Sequence, residues 1–407
     1  MNRRQFLLAA GGLAAAGISH AAWRYWPDAG LSNPCLAEIP DSVLQHPTYQ
    51  QIWHGIRPDQ VWDSHVHLVG VGDASSETWF NPDMDSWSHP QLKLQKAFYM
   101  NGTCADPANI DHSTVAKMTQ LVTAMPAGVK LMLFAFDWYR DGGGQVLKEN
   151  SIFHVSNSYA AHIASQQPDR FEWVASIHPY RPDALDALDQ AYADGARAIK
   201  WLPSGMNIDP ASSKCKPFYK KLAAMQLPII THTGKESAVA GGEQTYGNPL
   251  RMRQALDQGV KVVLAHCASD GTDEDLDHGG RAVKSFDLFT RMMDTADYQP
   301  LLYGDISATT LINHAWVLPT LIARQDWHAR LVNGSDYPLP GIMPLTNINT
   351  LVANGWLAAE HQSFLVSLKQ ANPLIYDFAL KRLLSINGQT FSTQVFETRP
   401  LFERHSS

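Results

Sequence analysis

From residue 61 onward the chain switches repeatedly between two hydrophobic rhythms. Short runs of apolar and β-branched residues recur at 61–68, 130–137, 171–179, 197–203, 227–234, 260–268, 301–308 and 329–338, each bounded by Gly, Pro, Asp or Asn. Between several of them the apolar positions take on helical spacing. Asp183 to Asp194 is amphipathic and stops at Gly195, and Asn248-Pro249 reads as an N-cap and first helical residue with Gly259 just past the end. Asn372-Pro373 opens a closing helix that runs through Leu384. The strand-like runs are apolar nearly throughout, so both of their faces must be covered. That predicts a parallel sheet flanked by helices, the α/β class. Eight such units over residues 61–338 fit a (β/α)8 TIM barrel, for which roughly 250 residues is typical. A doubly wound open sheet carries a Gly-rich phosphate loop after its first strand; here the first strand ends in DSHVHL.

Two connections exceed ordinary length. Val69–Val129 is a long insertion after strand 1, with a helix near Ser113–Met125 and an irregular Trp-rich part before it. Ser269–Arg281 is an acidic segment after the sixth strand. Long loops that follow barrel strands overhang the active face, which makes both of them candidate lids or substrate walls. Residues 22–60 show no clear period and read as an N-terminal arm on a single barrel domain, 61–407, that ends in C-terminal helices.

Composition removes whole classes. With 45% hydrophobic residues in 407 the chain is too apolar for disorder, and it has no apolar run suited to a stable membrane span. A formal charge of −7 argues against a grip on nucleic acid phosphates. Four cysteines without a CxxC pair make neither a disulfide scaffold nor a Cys-rich zinc site. Cys35, Cys104 and Cys215 are free to pair in an oxidising compartment, and their spacing does not decide it. At the N-terminus, Arg3-Arg4 precede a mild apolar run, Phe6 to Ile18, and Ser19-His20-Ala21 places small residues at a cleavage site. This pattern resembles a twin-arginine signal peptide over residues 1–21, which implies recognition by the twin-arginine export machinery and a periplasmic protein exported already folded.

Histidine is where the chemistry gathers. His65 and His67 lie two apart on the first strand and therefore on one face. With 17 histidines a lone H-x-H pair is expected by chance, so position decides. Lys200, His232, His266 and Asp336 fall at the C-terminal ends of the fourth, fifth, sixth and eighth strands. Polar groups facing into a barrel are costly to desolvate unless paired or bound to a metal, and that end of the strands is where barrel catalysis is built.

DSHVHL, AIKWLP, ITHTG, LAHCA and NGSDYPLP occur in order over residues 61–338, and together they resemble the amidohydrolase superfamily. The nearest branch is its amidohydrolase-related (amidohydrolase 2) group of metal-dependent hydrolases and decarboxylases. The resemblance implies a divalent metal, zinc above all, held by His65, His67, His232 and Asp336. His266 is implied beside the metal, and Lys200 with His266 would complete a second metal site if one is present; a mononuclear site is the preferred reading, because a bare ammonium repels a bound cation. Imidazole and carboxylate donors suit such an ion, which lowers the pKa of its water to about 7. Asp336 is then the proton acceptor and donor, His266 the group that polarises the carbonyl, and Asp63 the outer carboxylate that orients a ligand histidine.

The expected reaction is metal-assisted hydrolysis of a C–N or C–O bond in a small carbonyl compound. Non-oxidative decarboxylation on the same residues is the alternative, and a non-catalytic binding barrel is a third. Trp138, Tyr139, Tyr180, Trp201 and Tyr337 at strand exits, with Arg140 and Arg181 beside them, suggest an aromatic or acidic small-molecule substrate. Tyr and Trp that merely pack loops are the competing explanation. A homodimer is left open.

Overall fold

The computed structural model describes residues 28–74, 76–236 and 242–404. The expected export signal, residues 1–21, and the start of the expected arm lie outside the described residues. Eight parallel strands appear where the sequence places them: β1 (Trp62–His67), β2 (Lys130–Phe134), β3 (Phe171–Val174), β4 (Ile199–Trp201), β5 (Ile229–His232), β6 (Val262–Ala265), β7 (Leu302–Asp305) and β8 (Leu331–Val332). β1–β2–β3 pair in one run and β4 through β8 in another. Two seams close the ring. Ala175 donates to the Ala198 carbonyl (3.0 Å) and Lys200 to that of Ala175 (2.7 Å), joining β3 to β4. At the other seam Ser64 donates to Asn333 (3.2 Å), Asp336 to His65 (2.8 Å) and His67 to Tyr337 (2.9 Å), joining β8 to β1. The result is a (β/α)8 barrel with all strands in sequence order.

Strand parity sorts the side chains. Leu131, Leu133, Ile199, Trp201, Leu302 and Leu331 face the helices, whereas Trp62, Met132, Ala198, Ile230, Val263 and Val332 form a separate apolar cluster in the lumen, joined by Phe402 from the C-terminal segment. One step further along the same face come Phe134, Lys200, His232 and Asp305. In β1 the register against β2 shifts between Asp63 and Val66. The extra residue moves the alternation by one, so Trp62, His65 and His67 share the lumen side while Val66 joins the outer core. The lumen is thus apolar at its base and polar at the C-terminal mouth.

The helices follow the punctuation of the sequence. The Asp183 segment is a helix over Ala184–Ala193, and the closing helix spans Pro373–Leu383 with the Asn372 side chain accepting from the Leu374 and Ile375 amides. The insertion after β1 differs from expectation. Besides the helix at Ile110–Thr123, it holds a 14-residue helix, α1 (Pro90–Thr103), where the sequence suggests irregular structure. The acidic segment forms an antiparallel ribbon, Thr272–Asp275 with Arg281–Lys284, tied to the following helix by the Asp275–Arg291 pair (2.8 Å). Among the described residues no helix is long and apolar enough to cross a membrane.

Cys35 and Cys104 form a disulfide that joins the arm to the residue after α1, while Cys215 and Cys267 are free and buried. Asn33 and Asn101 reinforce this junction, with the Asn33 amide on the Asn101 side chain (2.8 Å). Beneath it, α1 meets the segment after β8 backbone to backbone. A Cβ on Gly102 would lie 2.9 Å from the Pro338 carbonyl oxygen, and one on Gly341 would collide with the Gly102 carbonyl.

Candidate metal centre

The mouth of the lumen opens into a cavity of about 640 Å³ whose floor is His65, His67, Lys200, His232, His266 and Asp336. Asp336 stands at the centre. Its Oδ1 lies 3.3 Å from His65 Nε2 and 3.1 Å from His67 Nε2, and its Oδ2 lies 3.8 Å from His266 Nε2. His266 and Asp336 both adopt positive φ, 56° and 58°, a conformation disfavoured for residues with a Cβ and concentrated at functional sites. Asp336 is kept there by its neighbours. The Ser335 amide donates to Asp63 Oδ1 (2.7 Å), and the Lys381 ammonium donates to the Gly334 carbonyl (2.7 Å).

The backs of the imidazoles are fixed. His65 Nδ1 faces Asp305 Oδ2 at 2.6 Å, and Ser307 Oγ donates to the same oxygen (2.6 Å). Burial pushes the Asp305 carboxyl up, but His65, His266 and Ser307 bring it below its ordinary value; as a carboxylate it only accepts, so the His65 Nδ1 carries the proton. His266 Nδ1 likewise donates to the Ser307 carbonyl (3.1 Å). Both rings therefore present an Nε2 lone pair to the cavity. Burial and Lys200 lower His65 to about 4 against Asp336 and Asp305, and burial holds His266 well below 6.5, so both are neutral at physiological pH. Asp336 is driven upward by burial, yet His65, His266 and His67 hold it well below the usual carboxylate range.

These atoms answer whether a metal fits. Donor atoms of His65, His67 and Asp336 lie within 4.8 Å of one another, as do those of His65, His266 and Asp305. In the second group the His65–Asp305 contact is a hydrogen bond, which leaves Asp305 as the partner behind a ligand. In the first, two imidazole nitrogens and a carboxylate oxygen meet at the cavity floor, a donor set suited to a divalent ion of the zinc type. Lys200 Nζ faces the His65 Nε2 lone pair at 3.1 Å, and burial lowers its pKa to about 8, with Asp336, Asp305 and Glu236 opposing.

His232 reaches the same floor but not the same point. Its ring lies 5.2 Å from that of His266, while its Nε2 faces the Lys235 carbonyl and its Nδ1 the Glu236 carboxylate, each at 3.4 Å. Asp63 accepts from backbone amides of His65 and Ser335 and does not orient an imidazole. That task falls to Asp305, which none of the sequence motifs contains. His314 also belongs here, with Nδ1 2.6 Å from Ser269 Oγ and its ring 6.0 Å from His266. Cys267 packs away from the site, its Sγ on the Asp305 carbonyl (3.3 Å). His178 is structural, its Nε2 donating to the Met206 carbonyl (2.8 Å).

The expected aromatic and basic substrate wall is placed elsewhere. Trp201 and Tyr337 are fully buried core residues, and Trp138 stacks on His154. Arg140 and Arg181 converge on Asp137 at 3.5 and 3.3 Å and do not line the cavity. The cavity takes its rings instead from Phe80, Phe98, Tyr99, Phe136 and Phe153. One wall comes from the insertion after β1, where α1 turns Gln91, Leu94, Gln95, Phe98 and Tyr99 inward at helical spacing.

A closed (β/α)8 barrel with histidines and an aspartate gathered at the C-terminal ends of its strands defines a barrel of the metal-dependent hydrolase type. Residues 62–341 match the amidohydrolase family, and the chain belongs to it; members of that family are generally enzymes that use a divalent metal. No curated protein matches the chain. Among solved structures it is similar to an uncharacterised TIM-barrel protein from Bordetella bronchiseptica (17% identity, 76% of this chain and 94% of that one, TM-score 0.45). It is also similar to a 5-carboxyvanillate decarboxylase from Sphingomonas paucimobilis (11%, 77% and 98%, TM-score 0.42). A third is a protein described as a probable 2-pyrone-4,6-dicarboxylic acid hydrolase from Acinetobacter baumannii (13%, 84% and 99%, TM-score 0.40).

Proposed function

We propose that this protein is a metal-dependent hydrolase that cleaves a C–N or C–O bond of a small carbonyl compound. The observation that carries the reading is the convergence of His65 Nε2, His67 Nε2 and Asp336 Oδ1 at the floor of the cavity, with His65 locked from behind by Asp305. His65, His67 and Asp336 would hold one divalent ion, most simply zinc, with His232 completing the set by a turn of its ring. Such an ion supplies Lewis acidity and an activated water. Asp336 Oδ2, the oxygen turned toward His266, would accept a proton there and pass it to the leaving group. His266, neutral and fixed by Ser307, is placed beside the scissile carbonyl, and the surrounding apolar walls exclude bulk water. Lys200 stays outside the ligand set, and the His65 Nε2 lone pair it faces would turn to the ion.

The test is metal content by elemental mass spectrometry, followed by product analysis on lactones, esters, amides and hydroxylated aromatic acids. The reading expects about one ion per chain and hydrolysis products. Release of carbon dioxide from the aromatic acids would replace hydrolysis with decarboxylation, and full activity of the metal-free chain would end both. The location we infer is the periplasm. Arg3-Arg4 and the apolar run behind them support it, and the Cys35–Cys104 disulfide is of the kind that persists in an oxidising compartment. Finding the protein in the cytoplasmic fraction with residues 1–21 intact would reject that assignment.

A further inference from the structure

We infer that the cavity is built for an uncharged substrate: a neutral carbonyl compound, such as a lactone or ester, that carries an alkyl or aryl group. The inference rests on the hydrolytic reading for the reacting group and on the cavity itself for the rest of the molecule.

The volume, about 640 Å³, is that of a site for a drug-sized ligand and far exceeds what the reacting group alone requires. Away from the metal floor most of the lining is apolar. Leu94 and Phe98 come from α1, Phe136 follows β2, and Leu311, Ile342 and Leu345 come from the segments after β7 and β8. The charged residues tell the same story. Two lysines and three carboxylates line the cavity: Lys200, Lys235, Glu236, Asp270 and Asp336. Lys200 lies on the metal floor beside His65, and Lys235 is exposed at the rim, next in the chain to Glu236 and with its amide on the Asp270 carbonyl. Among the described residues no arginine lines the cavity, and the two the sequence suggested, Arg140 and Arg181, are held by Asp137. A substrate carboxylate seated beyond the floor would therefore give up hydration with no guanidinium to pair with and Lys235 alone as a cation, beside the like-charged Glu236 and Asp270. Leu94 is 59% exposed although it lines the cavity, so the apolar wall runs out to the rim and leaves a chain room to extend.

The experiment uses the metal-loaded protein and γ-alkyl lactones of increasing chain length, each paired with an analogue ending in a carboxylate. Specificity, kcat/KM, is expected to rise about fourfold per added methylene until the cavity is full. The carboxylate-ended partner is expected to fall at least about 100-fold behind. Leu94→Arg, a change at the rim, should raise the carboxylate series at least about tenfold relative to the neutral one. A flat response to chain length, a preference for the carboxylates, or no effect of Leu94→Arg would overturn the inference. Should no lactone be hydrolysed, the hydrolytic reading fails separately, and calorimetric binding of the same pairs decides the substrate class. Affinity that climbs with chain length and collapses with the carboxylate upholds it; the reverse rejects it.

Discussion

Asp305 accepts from His65 Nδ1 over 2.6 Å, and that bond determines which nitrogen of His65 looks into the cavity. A carboxylate behind a ligand imidazole fixes its tautomer and raises its basicity, and losing one typically costs 10–100-fold in metal affinity. Asp305→Ala is therefore expected to weaken metal binding by about 10–100-fold while the barrel stays folded. Competition with a chromophoric chelator measures the affinity, and far-UV circular dichroism checks the fold. Unchanged affinity would mean that His65 is not a ligand.

The buried Asp377–Lys381 pair (2.6 Å) holds the loop that carries Asp336, because Lys381 also donates to the Gly334 carbonyl. Breaking one side of such a pair leaves an uncompensated buried charge, whereas replacing both sides by apolar residues is often nearly neutral. Lys381→Met is expected to cost roughly 3–5 kcal/mol in denaturant unfolding, and Asp377→Leu with Lys381→Met to regain most of it. If the double variant is no more stable than the single one, the loss does not come from the unpaired Asp377 carboxylate.

How much of this was legible in the sequence depends on whether one residue or a pair of distant residues carries the signal. The eight strands were legible because each is a short apolar run between turn residues, and the mouth residues because they interrupt those runs at the C-terminal ends. Helix α1 was not. Its inward face mixes Gln91 and Gln95 with Leu94, Phe98 and Tyr99, so no apolar stripe announces it. Asp305 lies 240 residues from His65, and only the closed barrel makes them neighbours. Arg140 and Arg181 misled for the same reason: the chain places them in strand-exit loops, but their side chains turn to Asp137. His232 reads as part of one constellation in sequence, and the fold brings its ring to the floor without turning its nitrogens to the common point.

Lys369 gives the protein a pH signature away from the centre. It is buried on the helix Gln362–Ala371, donates to the Met343 carbonyl (2.8 Å), and burial pulls its pKa from 10.5 to about 7, with Asp28 opposing. In the unfolded chain it keeps its proton to about pH 10.4. Between pH 7 and 10 the unfolded state binds more protons at this site, so the contribution of Lys369 to stability rises with pH. Lys369→Met removes that dependence. The stability of the variant relative to the parent is expected to be greatest at or below pH 7 and to decline toward pH 10 by up to about 1.4 kcal/mol per unit. Parallel stability curves for the two proteins across that range would show that the buried lysine does not titrate there.

The Cys35–Cys104 disulfide ties the arm to the end of α1, the helix that supplies Leu94, Phe98 and Tyr99 to the cavity. The bond spans 69 residues, and closing a loop of that size restricts the unfolded chain by about 4 kcal/mol in the chain-entropy model. Its effect on the folded state is local, since the same junction holds Gly102 against Pro338 and Gly341, two residues beyond Asp336 and onward. Cys35→Ser with Cys104→Ser is therefore expected to lower stability by about 2–5 kcal/mol. It should also loosen the α1 wall, so that KM for an apolar substrate rises more than kcat falls, because the metal floor is built from other strands. Metal content is expected to stay unchanged. Unfolding curves, steady-state kinetics and elemental analysis on the same preparations separate the three effects, and a loss of metal together with the disulfide would show that α1 supports the centre itself and not only its substrate wall.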